Sequence, residues 1–173
     1  EHISQFEKFH PPGSRARIAL EILLYIGQRR SDFVKLGPKD IDDGMLCLKQ
    51  QKTGQLVYIP LTPRFQEIIK DMPADAPSFI TTSKGEPFTP AGFTNWFRDM
   101  CRDAGLPKGL SPHGVRKATC RRLAEAGCTP HQIMAIAGHK SLSEVTRYTA
   151  AANRKDQAFQ AITHHGFTCF SSS

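Results

Sequence analysis

At 173 residues the chain is long enough to bury one substantial core. Its 39% hydrophobic and 23% charged residues are those of a globular domain, not of a disordered or fibrous chain. No apolar run approaches the ~18 residues of a membrane span, the N-terminal EHISQFEKFHPPGSRAR has no apolar signal core, and five cysteines without a C-x-x-C indicate neither a zinc ribbon nor a disulfide framework. A reducing cytoplasm is the expected setting, with no membrane partner. Lys and Arg outnumber Asp and Glu by 23 to 16, and the resulting charge of +7 points to a polyanion. The chain begins without methionine and is expected to be part of something longer.

Along the chain, RARIALEILLYIG predicts a buried helix: Ile18, Ile22, Tyr25 and Ile26 recur at helical spacing, Leu20, Leu23 and Leu24 widen the face, and Gly27 is a C-cap. QRRSDFVKLGPKDID predicts a short helix from about Ser31, ended by Gly37-Pro38. GMLCLKQQKTGQLVYIP predicts a β-hairpin, two β-leaning runs around Thr53-Gly54 with the turn near Lys52. Thr62-Pro63 and Thr89-Pro90 each predict a helix start, N-cap then proline. The second helix places Phe93, Trp96, Phe97 and Met100 on one face. Ser111-Pro112 opens another helix, which Gly127 ends. Thr129 with Gln132, and Ser141 with Glu144, have capping-box spacing. The tail THHGFTCFSSS has no core pattern. The fold class is α+β, mainly α, one domain with a small antiparallel sheet after the second helix.

Several polar residues stand out. His113 and Arg116 are three apart in the first turns of a helix, where free amides and the macrodipole favour an anion such as phosphate. Arg29 and Arg30 follow Gly27 at a helix junction, Asp32 lies within reach of Arg29, Lys52 sits beside the hairpin turn, and His139 follows Gly138. Taken singly, each has a plainer reading: solvated charge for the arginines, solubility for the lysine, a helix cap for His139, an amphipathic core position for Tyr148.

Their order is more informative. Arg29, hairpin Lys52, His113-x-x-Arg116, Gly138-His139 and then Tyr148 nine residues on resembles the tyrosine recombinase (phage integrase) family. YIGQRRSDFVKLGPKDID is similar to the family's first arginine box, HGVRKATCRRLAEAG to its second, and IAGHKSLSEVTRYT to its nucleophile box. The wording of YIGQRRSDFVKLG and QQKTG resembles that of bacterial prophage or genomic-island integrases. The resemblance implies the family's catalytic-domain fold over a core of about 14–152, with a tail of about 153–173 and without the core-binding domain that usually precedes it. Asp32 stands where the family more often has Glu.

The resemblance implies a site-specific recombinase acting on double-stranded DNA attachment sites as a homotetramer, monomeric when free, with an excision factor as accessory partner. Tyr148 would be the nucleophile and form a 3′-phosphotyrosine. Arg29, Arg116 and His139 would donate to the phosphate oxygens, Lys52 would protonate the leaving 5′-oxygen, and His113 would accept or relay the tyrosine proton. Asp32 would orient Arg29 from behind. Lys117, Arg121 and Arg122 are expected to meet the DNA backbone. Both arginines are expected to serve the reaction more than the packing. No cofactor is expected, as there is no acidic cluster for magnesium and no P-loop. The segment beyond about Asn153, with Ala158, Phe159 and Ile162, is expected to dock on a neighbouring protomer. The alternatives are type IB topoisomerase-like relaxation and a catalytically silent DNA-binding regulator.

Overall fold

A computed structural model of the chain describes residues 1–152 and residue 162. The expected exchange of the segment after Asn153 therefore lies outside the described residues. Eight helices flank one small sheet in those residues: α1 (His2–Phe9), α2 (Arg15–Ile26), α3 (Arg30–Phe33), a 3-10 turn (Pro38–Asp40), β1 (Ile41–Asp42), β2 (Met45–Lys49), β3 (Leu56–Pro60), α4 (Pro63–Ile69), α5 (Pro90–Asp103), α6 (Pro112–Glu125), α7 (Pro130–Ala137) and α8 (Leu142–Ala152). Among the described residues no helix is long and apolar enough to cross a membrane.

The sheet is antiparallel in the order β1-β2-β3, with Cys47 opposite Tyr58 and Leu48 opposite Val57. Leu46, Leu48, Val57 and Ile59 alternate with exposed or half-buried neighbours, so one face is buried. β1 is an addition to the expected hairpin: its two residues turn back onto β2 through Asp43 and Gly44.

The large core lies around α2. Ile22, Leu23 and Ile26 meet Phe33, Phe65, Phe93 and Phe97, all nearly inaccessible. The expected aromatic face of α5 is present, with Trp96 half-buried against Phe88 and Phe93. α1 was not foreseen. It contributes Phe6, whose ring stacks on Phe97 at 5.6 Å, and burying such a side chain contributes about 1.5–3 kcal/mol. A second, smaller core joins α6, α7 and α8 through Cys120, Ala124, Ile133, Ala137 and Val145. α6 packs on α2 with one side and on α8 with another, so it couples the two cores.

Helix starts follow the expected chemistry in part. Thr129 and Gln132 form the reciprocal capping box, and the Thr89 hydroxyl accepts from the Gly92 amide. Thr62 spends its hydroxyl on Tyr25 at 2.7 Å instead of on its own helix. Ser141 and Glu144 do not form the expected box: Ser141 pairs with the Ser143 hydroxyl, and Glu144 reaches His139.

Candidate active site

α2 and α7 both end in glycines with left-handed backbone, Gly27 at φ 60° and Gly138 at φ 65°. Each end presents carbonyls that have no partner within its own helix. α6 supplies partners. The Thr119 hydroxyl donates to Leu24 O at 3.1 Å, and Arg116 Nη1 donates to both Gly27 O and Ala137 O at 2.7 Å. Arg116 is 4% exposed. Its buried charge is met by the negative ends of two helices, with no carboxylate in contact among the described residues. Burial, followed by the nearby Arg29 charge, lowers its pKa from the ordinary arginine value. Arg116 was expected to serve the reaction more than the packing; its bonds also tie α2 to α7.

Arg116 Nη2 lies 3.1 Å from His139 Nε2. A guanidinium can only donate, so Nε2 accepts and the imidazole proton sits on Nδ1, which donates to Glu144 Oε2 at 2.8 Å. Burial lowers the His139 pKa, against the pull of Glu144. In this arrangement Nε2 holds Arg116 and has no proton to give an anion, unlike the expected donor. Two protons of Arg116, on Nε and on Nη2, take no partner among the described residues and are available to an oxyanion.

Arg29 is the N-cap residue of α3, half-buried, with Nη1 donating to Gln50 Oε1 at 2.8 Å. The expected Asp32–Arg29 contact is not made. Asp32 is 4% exposed, and its Oδ1 accepts from the Gln51 amide at 2.9 Å while Oδ2 has no partner. The carboxylate instead fixes the start of the hairpin turn, because α3 brings it under that turn. Lys52 is exposed in the turn itself, and Gly54 closes the turn with φ 69°.

His113 is exposed in the first turn of α6. Partial burial and then the positive charges of Lys117, Arg116, Arg29 and Arg147 lower its pKa, which favours the neutral, proton-accepting ring. Lys117 and Arg121 are exposed and follow His113 at four-residue steps, on one helix face. Arg122 does not join them: it borders an apolar groove with Tyr25, Ile59 and Ile136 on another side of α6.

Tyr148 is half-buried on α8. Its ring packs against the second core, while its hydroxyl lies at the surface 3.3 Å from Arg147 Nη2. The Arg147 guanidinium carbon stands 5.1 Å from the ring centroid. The ring is thus a packing residue, while the oxygen stays at the surface beside Arg147. Tyr148 and Asp32 are near enough for their charges to act on Arg116. Sequence reasoning missed Arg147, Glu144, Gln28 and Gln50. For Glu144 the signal was present, five residues after His139, but was read as a helix cap.

A model of the phage integrase family matches residues 1–155. The chain belongs to that family. Tyrosine recombinase XerD of Pseudomonas putida is 27% identical over 166 residues, covering 88% of this chain and 55% of that protein. Tyrosine recombinase XerC of Chlamydia caviae is 26% identical over 147 residues, 79% of this chain and 47% of that protein. The chain spans about half the length of the curated relatives it matches. A solved lambda integrase (75-356) dimer bound to a COC′ core site has the same fold, with a TM-score of 0.71 at 23% identity over 86% of this chain and 56% of that one. The phage integrase fold accounts for the mainly helical architecture with one antiparallel sheet.

Proposed function

We propose that this phage integrase domain cleaves and rejoins DNA strands in site-specific recombination, through a covalent bond to Tyr148. The Tyr148 oxygen attacks the phosphorus, the bond to the 5′-oxygen breaks, and a 3′-phosphotyrosine and a 5′-hydroxyl result. Attack by the 5′-hydroxyl of another strand reverses the step, so no external energy source is consumed. Arg116 and Arg29 receive the charge that builds on the non-bridging oxygens, and a donor preorganised in this way is worth about 3–4 kcal/mol at the barrier. His139 and Glu144 keep Arg116 in place. His113 takes the tyrosine proton, and Lys52 gives a proton to the leaving oxygen. Lys117 and Arg121 meet the DNA backbone.

The observation that carries this reading is the buried Arg116, clamped on three sides yet with two N–H groups unspent, on the helix against which α8 packs Tyr148. The solved relatives include a lambda integrase tetramer bound to a Holliday junction; a homotetramer on two duplexes, monomeric when free and aided by an excision factor, is the assembly proposed here. The test is a pool of random-sequence DNA duplexes nicked so that the short piece bearing the new 5′-hydroxyl diffuses away after cleavage. DNA retained on denatured protein, and absent with Tyr148→Phe, supports the reading. No covalent species, or an adduct that relaxes supercoiled DNA without exchanging strands between two sites, overturns it.

A further inference from the structure

Gln50 follows β2, is 1% exposed, and uses its whole carboxamide. Oε1 accepts from Arg29 Nη1 at 2.8 Å and from the Thr53 hydroxyl at 2.6 Å. Nε2 donates to Gln28 Oε1 at 2.6 Å and to Ala137 O at 2.9 Å. The amide orientation follows from the partners, since Arg29 only donates and a carbonyl only accepts. Gln28 in turn donates to Ile26 O and Ile136 O, at the same two helix ends. The Gln50 backbone also closes the turn, through Gln55 O and the Gly54 amide.

The Ala137 carbonyl therefore receives both Gln50 and Arg116. A continuous path runs from Arg29 through the Gln50 carboxamide and that carbonyl to Arg116. The turn bearing Lys52 hangs on the same residue, with the Asp32 bond to the Gln51 amide as a second tether. A buried amide with all four hydrogen bonds matched is a rigid spacer, and substitutes of similar volume lose part of the set.

We propose that Gln50 is a positioning residue for strand cleavage, holding the Arg29 guanidinium and the Lys52 turn in register with Arg116. This rests on the functional reading above. Gln50 touches no substrate. It acts through the placement of a charge acceptor and a proton donor together, where a misplacement near 1 Å costs about a hundredfold.

The experiment uses the 173-residue chain, the duplex recovered from the nicked pool, and a matched duplex with sulfur at the scissile 5′-bridge. Gln50→Ala and the volume-filling Gln50→Met are compared with the parent by thermal melting, DNA binding and single-turnover cleavage. Expected is a cooperative fold, DNA affinity within about twofold of the parent, and cleavage of ordinary DNA slower by roughly tenfold to a hundredfold. On the sulfur substrate, whose thiolate leaves without a proton, the defect should shrink several-fold, because the Lys52 share drops out and the Arg29 share stays. A purely structural role would slow both substrates equally. Equal slowing, or a folded Gln50→Met variant that cleaves ordinary DNA within about twofold of the parent, overturns the proposal while the functional reading stands. A parent that forms no adduct through Tyr148 overturns both.

Discussion

Arg116, His139, Gln50 and Gln28 form one half of the candidate site, and Lys52, His113 and Tyr148 the other. The first half is buried, and its side chains are bonded to one another and to the ends of α2 and α7. The second half is exposed or half-buried, and among the described residues the one side-chain hydrogen bond its members make is the 3.3 Å contact of Tyr148 with Arg147. The split fits the chemistry proposed for each half. Stabilising charge at a barrier needs donors that do not reorganise, whereas attack and proton transfer need groups that can approach and withdraw.

Tyr148→Phe should show the division most sharply. Covalent product should vanish completely, while the melting temperature stays close to that of the parent, because the ring and its packing remain. A residual adduct would place the nucleophile elsewhere. Arg116→Ala should break the other half. Cleavage should fall at least about a hundredfold, and stability should drop by roughly 2–4 kcal/mol as two buried carbonyls lose a charged donor, a shift on the order of 10 °C in thermal melts. An unchanged melting temperature would mean that the helix ends do not depend on it.

Lys52→Ala should behave like the tyrosine variant in folding and less severely in rate. A loss of about 10²–10⁴ is expected on ordinary DNA, with recovery on the 5′-bridging sulfur substrate. Equal loss on both substrates would remove Lys52 from the proton-donor role. The smallest effect concerns pH. Burial depresses the His139 pKa below the ordinary 6.5, so the folded chain binds this proton less readily than the unfolded chain does. The stability this provides is complete above pH 6.5 and is lost as pH falls below it. His113, shifted in the same direction, adds to that acid limb. Melting at pH 7.5 and 5.5 should therefore show a fall on acidification that His139→Gln makes shallower, and identical falls would refute the assignment.

Much of the locked half was invisible from the sequence. Glutamine carries no chemical label: Gln50 and Gln28 read like any surface amide, and what distinguishes them is the meeting of two helix ends far apart in the chain. Asp32 was expected to orient Arg29 and instead holds a hairpin amide, since only the fold decides which neighbour lies beneath it. His113, Lys52 and Tyr148 in the loose half stood out through the order in which they resemble the family's motifs. Among the elements, α2, α5, α6 and α7 were legible from apolar spacing and cap residues. α1 offers no side-chain cap and a single buried residue, Phe6, and β1 has two residues, too few to show a period. Arg122 was grouped with Lys117 and Arg121 because a basic run looks uniform until the helix turns it through different faces.

Gly138 has one more consequence, for anyone who would treat the hairpin as an exchangeable cassette. A Cβ there would fall inside the Gln50 carboxamide, on a backbone conformation that already disfavours side chains. Positions 50 and 138 thus share one volume. A hairpin transplanted from another family member with a bulkier residue at position 50 would push the end of α7 outward, and one with a smaller residue would leave a hole above the glycine. Chimeras joined at this turn need both positions moved as a pair, however well the remaining strands match.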